Sequence, residues 1–238
     1  MRPIGFSTGA VAKADFRSAL GRLRELKVPI VELSALRIDE LDPLVASLSE
    51  LDLKEFEFIS FHAPSSFSVN DEDHVVGQLQ TVVERGIPII VHPDVIATPM
   101  IWKTLGQMLL IENMDKRKPA GRTANDLKCL FEQFPDAGLC FDLGHARQVD
   151  PTMMEARLIL ECFGDRLKEV HISEVNTSSR HDPLSIYAIS AFRSVSHLIP
   201  DSIPVVLETL IHQGQSDILT EISRARQALD PTLLRAVS

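Results

Sequence analysis

The sequence predicts an α/β fold: a single (β/α)8 TIM barrel whose eight strands are parallel. Short apolar runs alternate with segments in which apolar side chains recur every three or four residues, and no hairpin signal joins two runs. This alternation of strands and helices favours a parallel sheet. The chain has 238 residues, a length that suits eight strand–helix units in one barrel.

The eight apolar runs are the predicted strands, and each ends in a polar side chain. They cover residues 3–7, 30–32, 56–62, 87–92, 108–112, 138–142, 167–171 and 203–208. The last side chains, in the same order, are Ser7, Glu32, His62, His92, Glu112, Asp142, His171 and Glu208. Because the carboxyl ends of barrel strands face one another around a mouth, we expect these side chains to converge there.

The helices are predicted from apolar stripes at helical spacing. Ala19, Leu20 and Leu23 mark one side of a helix over residues 14–27. The other helical segments cover residues 41–48, 71–85, 99–105, 127–134, 150–163, 186–198 and 216–229. An open doubly wound sheet stays an alternative, but residues 5–9 lack its GxGxxG turn. Since no linker divides the chain, residues 1–238 are expected to form one domain.

Composition and charge argue against a nucleic-acid-binding protein and against a membrane protein. Aromatic residues make up 5% of the chain, so aliphatic side chains must fill the core. The formal net charge of −9 argues against a broad basic face for nucleic acid, although a local basic patch stays open. The three cysteines form no CxxC pair, so we expect reduced core thiols in a cytoplasmic protein. No run approaches the ~20 apolar residues of a membrane helix, and the N-terminus lacks a signal-peptide apolar region.

Histidines and carboxylates gather at the predicted barrel mouth. His62, His92 and His171 end strands, while His145 and His181 lie in the loops that follow. Imidazole and carboxylate ligands together suit Zn, Mn, Fe or Co. Without a cation, clustered acids of low solvent exposure would repel one another and raise each other's pKa values. The pattern therefore predicts a divalent-metal site.

Four short motifs in the second half of the chain carry a family resemblance. They are Ile-Glu-Asn at 111–113, Phe-Asp-Leu-Gly-His at 141–145, Val-His-Ile at 170–172 and Leu-Glu at 207–208. They resemble the motifs on strands five to eight of the xylose isomerase-like TIM barrel superfamily. This superfamily includes sugar phosphate isomerases and epimerases and endonuclease IV-like nucleases. The resemblance covers essentially the whole chain; it implies fold and metal dependence but not the substrate.

The resemblance implies one four-ligand metal site. Glu112, Asp142, His171 and Glu208 match its ligands, and the residues matching Glu112 and Glu208 in the epimerases also act as catalytic acid and base. His145 matches a substrate-binding catalytic residue in epimerases and a third-metal ligand in the nucleases.

Further positions match a site with more than one metal ion. His62 and His92 match ligands of a second ion with Glu112 as the bridge, and His181 matches a ligand of a third. The nuclease pattern at this last position is Asp-x-His, but here Ser179 replaces the aspartate. The resemblance therefore implies one to three divalent ions.

Several residues are candidates for substrate binding, each with a structural alternative. The basic loop 115–122, with Lys116 and Arg122, is either a solvated loop or a clamp for phosphate or carboxylate. Asn113 is expected to direct its amide at substrate. Trp102 either stacks on a sugar ring or packs in the core.

Glu32 is less easily assigned. It lies at the end of the second predicted strand, where it orients substrate or a ligand histidine, or else forms a buried pair with Arg37.

These observations favour a metal-dependent isomerase or epimerase acting on a sugar, sugar phosphate or related polyol. Two alternatives use the same barrel: a two-metal phosphoester hydrolase, which would use His62 and His92, and an iron-dependent oxidase. A barrel that only binds sugar or metal is a fourth hypothesis. The expected partner is a small carbohydrate or phosphate-containing molecule rather than a membrane or nucleic acid. Because barrels of this superfamily often pair through their helices, a homodimer is an expected assembly.

Overall fold

The predicted eight-stranded barrel is confirmed by the computed structural model, which describes residues 2–211 and 214–230. Its strands are β1 (Ile4–Ser7), β2 (Ile30–Ser34), β3 (Phe58–His62), β4 (Ile89–Val91), β5 (Leu109–Glu112), β6 (Gly138–Asp142), β7 (Leu167–Ile172) and β10 (Val205–Leu207). They close in the order β1-β10-β7-β6-β5-β4-β3-β2, and each pair is parallel. A single domain over residues 1–238 stays a prediction, since both ends lie outside the described residues.

Ten α-helices of the described residues surround the strands. They are α1 (Thr8–Ala12), α2 (Phe16–Glu25), α3 (Ile38–Ser47), α4 (Glu72–Val83), α5 (Pro99–Trp102), α6 (Ala124–Gln133), α7 (Leu143–Val149), α8 (Met154–Phe163), α9 (Ile186–Arg193) and α10 (Gly214–Leu229). The short helices α1 and α7 were not predicted. Both start directly at a strand end, where Ser7 and Asp142 cap them by accepting hydrogen bonds from Ala10 N and His145 N.

A hairpin lies above the barrel, although no hairpin was predicted from the sequence. Strand β8 (Glu174–Val175) pairs antiparallel with β9 (His181–Asp182). Each strand has only two residues, too few to show the alternating pattern on which strand prediction depends. The hairpin carries His181 back over the mouth of the barrel.

Two other sequence-based expectations meet different outcomes. Among the described residues, no helix is both long and apolar enough to span a membrane. The expectation of three core thiols is wrong for two of them: Cys140 is buried, but Cys129 and Cys162 are exposed on α6 and α8.

Close packing of β1 against β2 gives a prediction about stability. A Cβ atom added at Gly5 would lie 1.8 Å from the backbone oxygen of Ile30, which cannot move without disturbing the strand pair. We expect Gly5→Ala to lower the free energy of unfolding by about 3 kcal/mol or more, as measured by urea denaturation. In the matched control Gly21→Ala, in α2, the added Cβ meets no heavy atom of the described residues within 4 Å apart from its chain neighbours and the adjacent backbone of its own helix. The control should instead gain about 1 kcal/mol; equal effects would contradict the argument.

Candidate metal centre

Four potential metal ligands converge at the carboxyl ends of neighbouring strands. Glu112 ends β5, Asp142 ends β6, His171 lies in β7 and Glu208 directly follows β10. One ligand atom from each lies within 4.8 Å of the others. The first three side chains are fully buried, and Glu208 is slightly exposed. The structure therefore brings together the four residues that the sequence assigned to one metal site.

The unsatisfied atoms of this quartet fit a cation. Among the described residues, Glu112 Oε1, Asp142 Oδ2, His171 Nδ1 and Glu208 Oε2 are buried without a hydrogen-bond partner. Buried polar atoms without partners are costly, and buried charges are usually paired or bound to metals. Three carboxylates and one imidazole form a donor set that suits Zn, Mn, Fe or Co. We conclude that these four residues could hold a divalent ion.

A second set of potential ligands shares Glu112 with the quartet. The Nε2 atoms of His62 and His92 lie 3.3 Å and 3.1 Å from Glu112 Oε2. Ligand atoms of these three side chains also lie within 4.8 Å of one another. Glu112 thus directs Oε2 toward two histidines and Oε1 toward the quartet, as a ligand shared between two ions would.

Backbone contacts hold this arrangement in place. Asn113 Nδ2 donates to the carbonyl oxygen of Asp142 (2.9 Å), and Asp142 N donates to Asn113 Oδ1 (2.7 Å). Asp142 Oδ1 accepts from His145 N at 2.6 Å, which leaves Oδ2 for the quartet. Because Asn113 is fully buried and its amide pairs with backbone, it fixes strand β6 instead of reaching substrate as predicted.

Charges in the cluster shift the pKa values of several groups. Burial lowers the pKa of His62, but attraction to Glu32 and Glu112 outweighs it and raises this pKa to about 9. Burial also opposes protonation of His145, yet the nearby Asp142 and Glu112 raise its pKa to about 10. Burial raises the pKa of Asp142 to about 6, with the charge of His145 opposing the shift. The metal-free cluster therefore binds protons where ions would bind.

These shifts predict opposite pH dependences with and without metal. The folded pKa values of His62 and His145 lie above the ordinary value of 6.5. Their contribution to stability is therefore complete below pH 6.5 and is lost as the pH rises through about 9 and 10. In chelator, Tm should fall between pH 6.5 and 9. With excess Mn²⁺, Tm should rise from pH 6 to about 8, because ligands must lose protons to bind metal. Parallel pH profiles with and without Mn²⁺ in thermal-shift measurements would contradict this prediction.

A cavity of about 260 Å³ opens above the two ligand sets. His62, His92, His145, His181 and Glu208 contribute to its wall. Lys118 also lines it, with Nζ 2.8 Å from Asp94 Oδ2. The basic loop therefore does reach the mouth, but through Lys118.

The two basic residues assigned to substrate binding lie elsewhere. Among the described residues, Lys116 and Arg122 are not part of the cavity wall. Lys116 is exposed beside a separate depression that also includes Arg147, and the backbone of Arg122 is tied to Asp126 before α6. Trp102 is fully buried, and its Nε1 donates to Glu72 Oε1 at 2.7 Å. It has no exposed face for a sugar ring, so the packing alternative holds.

His145 and His181 lie together at the cavity but not in a third ligand set. Their ring centroids are 5.6 Å apart. His181 Nδ1 lies 2.8 Å from Ser173 Oγ and 3.4 Å from Glu208 Oε2. Among the described residues, no group of three or more potential ligands includes either histidine. The missing aspartate at Ser179 agrees with this, so we propose no third ion.

The sequence gives Glu32 two possible roles and does not identify Glu169 as a candidate residue. Both side chains are fully buried on inward-facing positions of β2 and β7, and both approach His171. Arg37 instead pairs at the surface with Glu40 and Asp39. The available signal for Glu169 was its spacing: two residues before His171, it shares the inward face of one strand.

The fold and the site together define a (β/α)8 barrel with a candidate divalent-metal centre at its carboxyl mouth. Known structures share this fold. Endonuclease IV from Thermus thermophilus superposes with a TM-score of 0.62 at 16% identity over 97% of this chain and 99% of its own. The 3-keto-D-glucoside 4-epimerase from E. coli gives 0.63 at 13% identity over 95% and 99%.

A third known structure also shares the fold. A xylose isomerase-like TIM barrel protein from Mycobacterium smegmatis, in complex with magnesium, gives a TM-score of 0.58 at 14% identity over 96% of this chain and 98% of its own. No protein-family model matches the sequence, and neither does any curated protein. The predicted resemblance to xylose isomerase-like barrels is confirmed at the level of the fold. At such low sequence identities, the similarity does not identify the reaction that this protein catalyses.

Proposed function

We propose that the protein is a two-metal hydrolase that cleaves a phosphate ester of a small polyhydroxylated molecule. One observation carries the proposal: Glu112 is shared between the quartet and the pair His62–His92. A one-metal isomerase has no need for this pair. The sequence favoured isomerisation; the geometry of the second ligand set moves hydrolysis ahead of it.

The donor sets determine what each residue would do. Bound divalent ions would polarise a phosphoryl oxygen and lower the pKa of water at the site. Glu112, Asp142 and Glu208 would supply the negative charge that holds such ions. His181 is partly exposed and lines the cavity, and its Nδ1 lies 2.8 Å from Ser173 Oγ. The other ring nitrogen of His181 would then protonate a leaving alkoxide.

The cavity supports a small substrate. Its volume of about 260 Å³ lies near the lower end of ligand pockets and is much too small for a duplex. The net charge of −9 also disfavours a polyanionic polymer. A cytoplasmic location and a homodimer stay predictions.

An isomerase or epimerase is the second candidate, and one observation favours it. Glu112 Oε1 and Glu208 Oε1 each lie 3.5 Å from His171 Nδ1, so two carboxylates flank a single ligand position. Such a pair can act as acid and base on opposite faces of one carbon. Between these two reactions, the product discriminates: inorganic phosphate is released by hydrolysis and an isomer of the substrate is formed by the second.

Metal analysis of the purified protein followed by a substrate screen tests the proposal. Chelator-stripped protein is titrated with Zn²⁺, Mn²⁺ and Co²⁺ by calorimetry and then assayed with sugar phosphates, ketoses and inositols. Two ions per chain and release of inorganic phosphate would support hydrolysis. One ion with an isomerised product would overturn it in favour of the second candidate. Native iron with O₂ consumption would overturn both and indicate an oxidase.

Lys118 offers a prediction about specificity. As the lysine of the basic loop that lines the cavity, it should bind an anionic group of the substrate. We expect Lys118→Met to raise KM for a phosphorylated substrate about tenfold, the loss of one charge-assisted contact, with a smaller effect on an unphosphorylated analogue. Lys116→Met, two residues away and outside the cavity, is the matched control. Equal effects of the two variants would rule out this role.

A further inference from the structure

We propose that Glu32 is a positioning residue that holds His171 with Nδ1 turned toward the metal centre. The inference rests on the proposed metal centre but not on the reaction. Glu32 lies in β2, across the barrel interior from His171 in β7. Its Oε2 is 3.1 Å from His171 Nε2, and both side chains have 0% exposure.

The orientation of Glu32 is set from its other side. Ser34 Oγ donates to Glu32 Oε1 at 3.2 Å, and Ser34 Oγ also lies 2.9 Å from Ser7 Oγ. Among the described residues, Oε2 has no hydrogen-bond partner, and it lies 3.1 Å from the imidazole Nε2 of His171. Ser34 thus fixes one oxygen of the carboxylate and leaves the second for His171.

The tautomer of His171 links this contact to metal binding. A neutral imidazole has one N–H and one lone pair. If Nε2 carries the hydrogen and donates it to Glu32, the lone pair of Nδ1 faces Glu112 and Glu208, each 3.5 Å away. A ligand histidine needs this arrangement, and an acceptor on the opposite nitrogen generally fixes it. The two atoms are within hydrogen-bond distance at 3.1 Å, although the ring orientation in this structure does not align them as a hydrogen bond.

Glu169 is a natural competitor and therefore a matched control. Its Oε1 lies 3.4 Å from the same Nε2 atom, but this oxygen already accepts a hydrogen bond from Ser60 Oγ at 2.9 Å. Glu169 is as deeply buried as Glu32 and belongs to the same polar layer under the quartet. Since one N–H can align with one acceptor, the shorter contact to Glu32 should dominate.

The test measures metal affinity independently of turnover. Chelator-stripped protein is titrated with Co²⁺ and followed by its visible absorption. Glu32→Leu removes the acceptor and should weaken binding about 10- to 100-fold. Glu32→Gln keeps an acceptor oxygen and should restore part of the affinity, whereas Glu169→Leu should have a much smaller effect. In ¹⁵N NMR of the Zn²⁺ form, His171 should be the Nε2–H tautomer in the parent protein.

Several outcomes would overturn the inference. Unchanged Co²⁺ affinity in folded Glu32→Leu would do so, as would an equal loss in Glu169→Leu. An Nδ1–H tautomer in the Zn²⁺-loaded parent would also contradict it. If Glu32→Leu fails to fold, Ser34→Ala should show a smaller loss of affinity in the same direction, and no loss there would refute the role. If the parent protein binds no metal, the proposed function fails as well; if it binds metal normally while the variants are unaffected, only this inference fails.

Discussion

Replacing Glu112 by glutamine should abolish metal binding and activity together. The side chain shares its two oxygens between the two ligand sets. Oε2 lies near His62 and His92, and Oε1 faces the other three residues of the quartet. An amide presents one neutral oxygen and one NH₂ group, so it cannot serve both sets. Outer partners of metal ligands contribute 10- to 100-fold, so losing a shared ligand should cost more than about 100-fold in affinity and kcat/KM. Metal content by elemental analysis and turnover of the identified substrate provide the measurements.

The surface variant Glu132→Gln, on α6, is the control for loss of one negative charge and should behave as the parent. Because Glu112→Gln also removes a charge that attracts His62 and His145, far-UV circular dichroism is used to check that the variant is folded. A Glu112→Gln protein that keeps two ions and full activity would refute the shared-ligand role and, with it, the two-metal proposal.

The convergence of the strand-end residues could be predicted because, in a parallel barrel, the carboxyl ends of all strands lie at the same mouth. Each apolar run is short and ends at a polar residue, and every parallel strand delivers its last side chain to the same mouth. His62, Asp142 and His171 therefore meet although they lie far apart along the chain. Neither the distances nor the sharing of Glu112 follows from this pattern, because both depend on strand register and stagger.

Loop residues could not be placed by the same reasoning. In the loop after β5, periodicity does not determine side-chain direction, so the sequence could not distinguish Lys118, which reaches the cavity, from Lys116 and Arg122, which do not. Trp102 shows the same difficulty. Its burial depends on a hydrogen bond to Glu72, 30 residues earlier, and on packing against Phe67. Long-range contacts of this kind leave no local signature.

The polar layer beneath the metal centre follows only partly from the sequence, because Glu32 is a predicted strand-end residue whereas Ser60 and Glu169 are not. Barrel interiors are usually filled by branched apolar side chains, so a pattern of apolar runs does not predict polar side chains at inward positions. Here Glu32, Ser60 and Glu169 occupy that layer instead. Buried carboxylates persist only with compensating partners, and these partners come from other strands. An acid two residues before a ligand on the same strand is the sequence signal for such a layer, because both side chains point to the same face.

Asp142 performs two tasks with two oxygens, and substitutions should separate them. Oδ1 caps α7 by accepting from His145 N, while Oδ2 is buried without a hydrogen-bond partner among the described residues and faces the quartet. Asp142→Asn can keep the capping oxygen but replaces the ligand oxygen by an NH₂ group. We therefore expect it to stay close to the parent in stability without metal and to lose metal binding by more than about 100-fold.

Asp142→Ala removes both oxygens. It should lose metal binding to the same extent and, in addition, lower the free energy of unfolding in chelator by about 1 kcal/mol through loss of the cap. The loss of stability in Asp142→Ala is partly compensated, because the substitution removes a carboxylate whose charge is disfavoured by burial. The same burial raises the pKa of Asp142. Urea denaturation in chelator, together with Co²⁺ titration, measures the two tasks separately. Retained Co²⁺ affinity in Asp142→Asn would remove Asp142 from the ligand set, and since the quartet needs its charge, the metal centre proposed at this mouth would have to be abandoned.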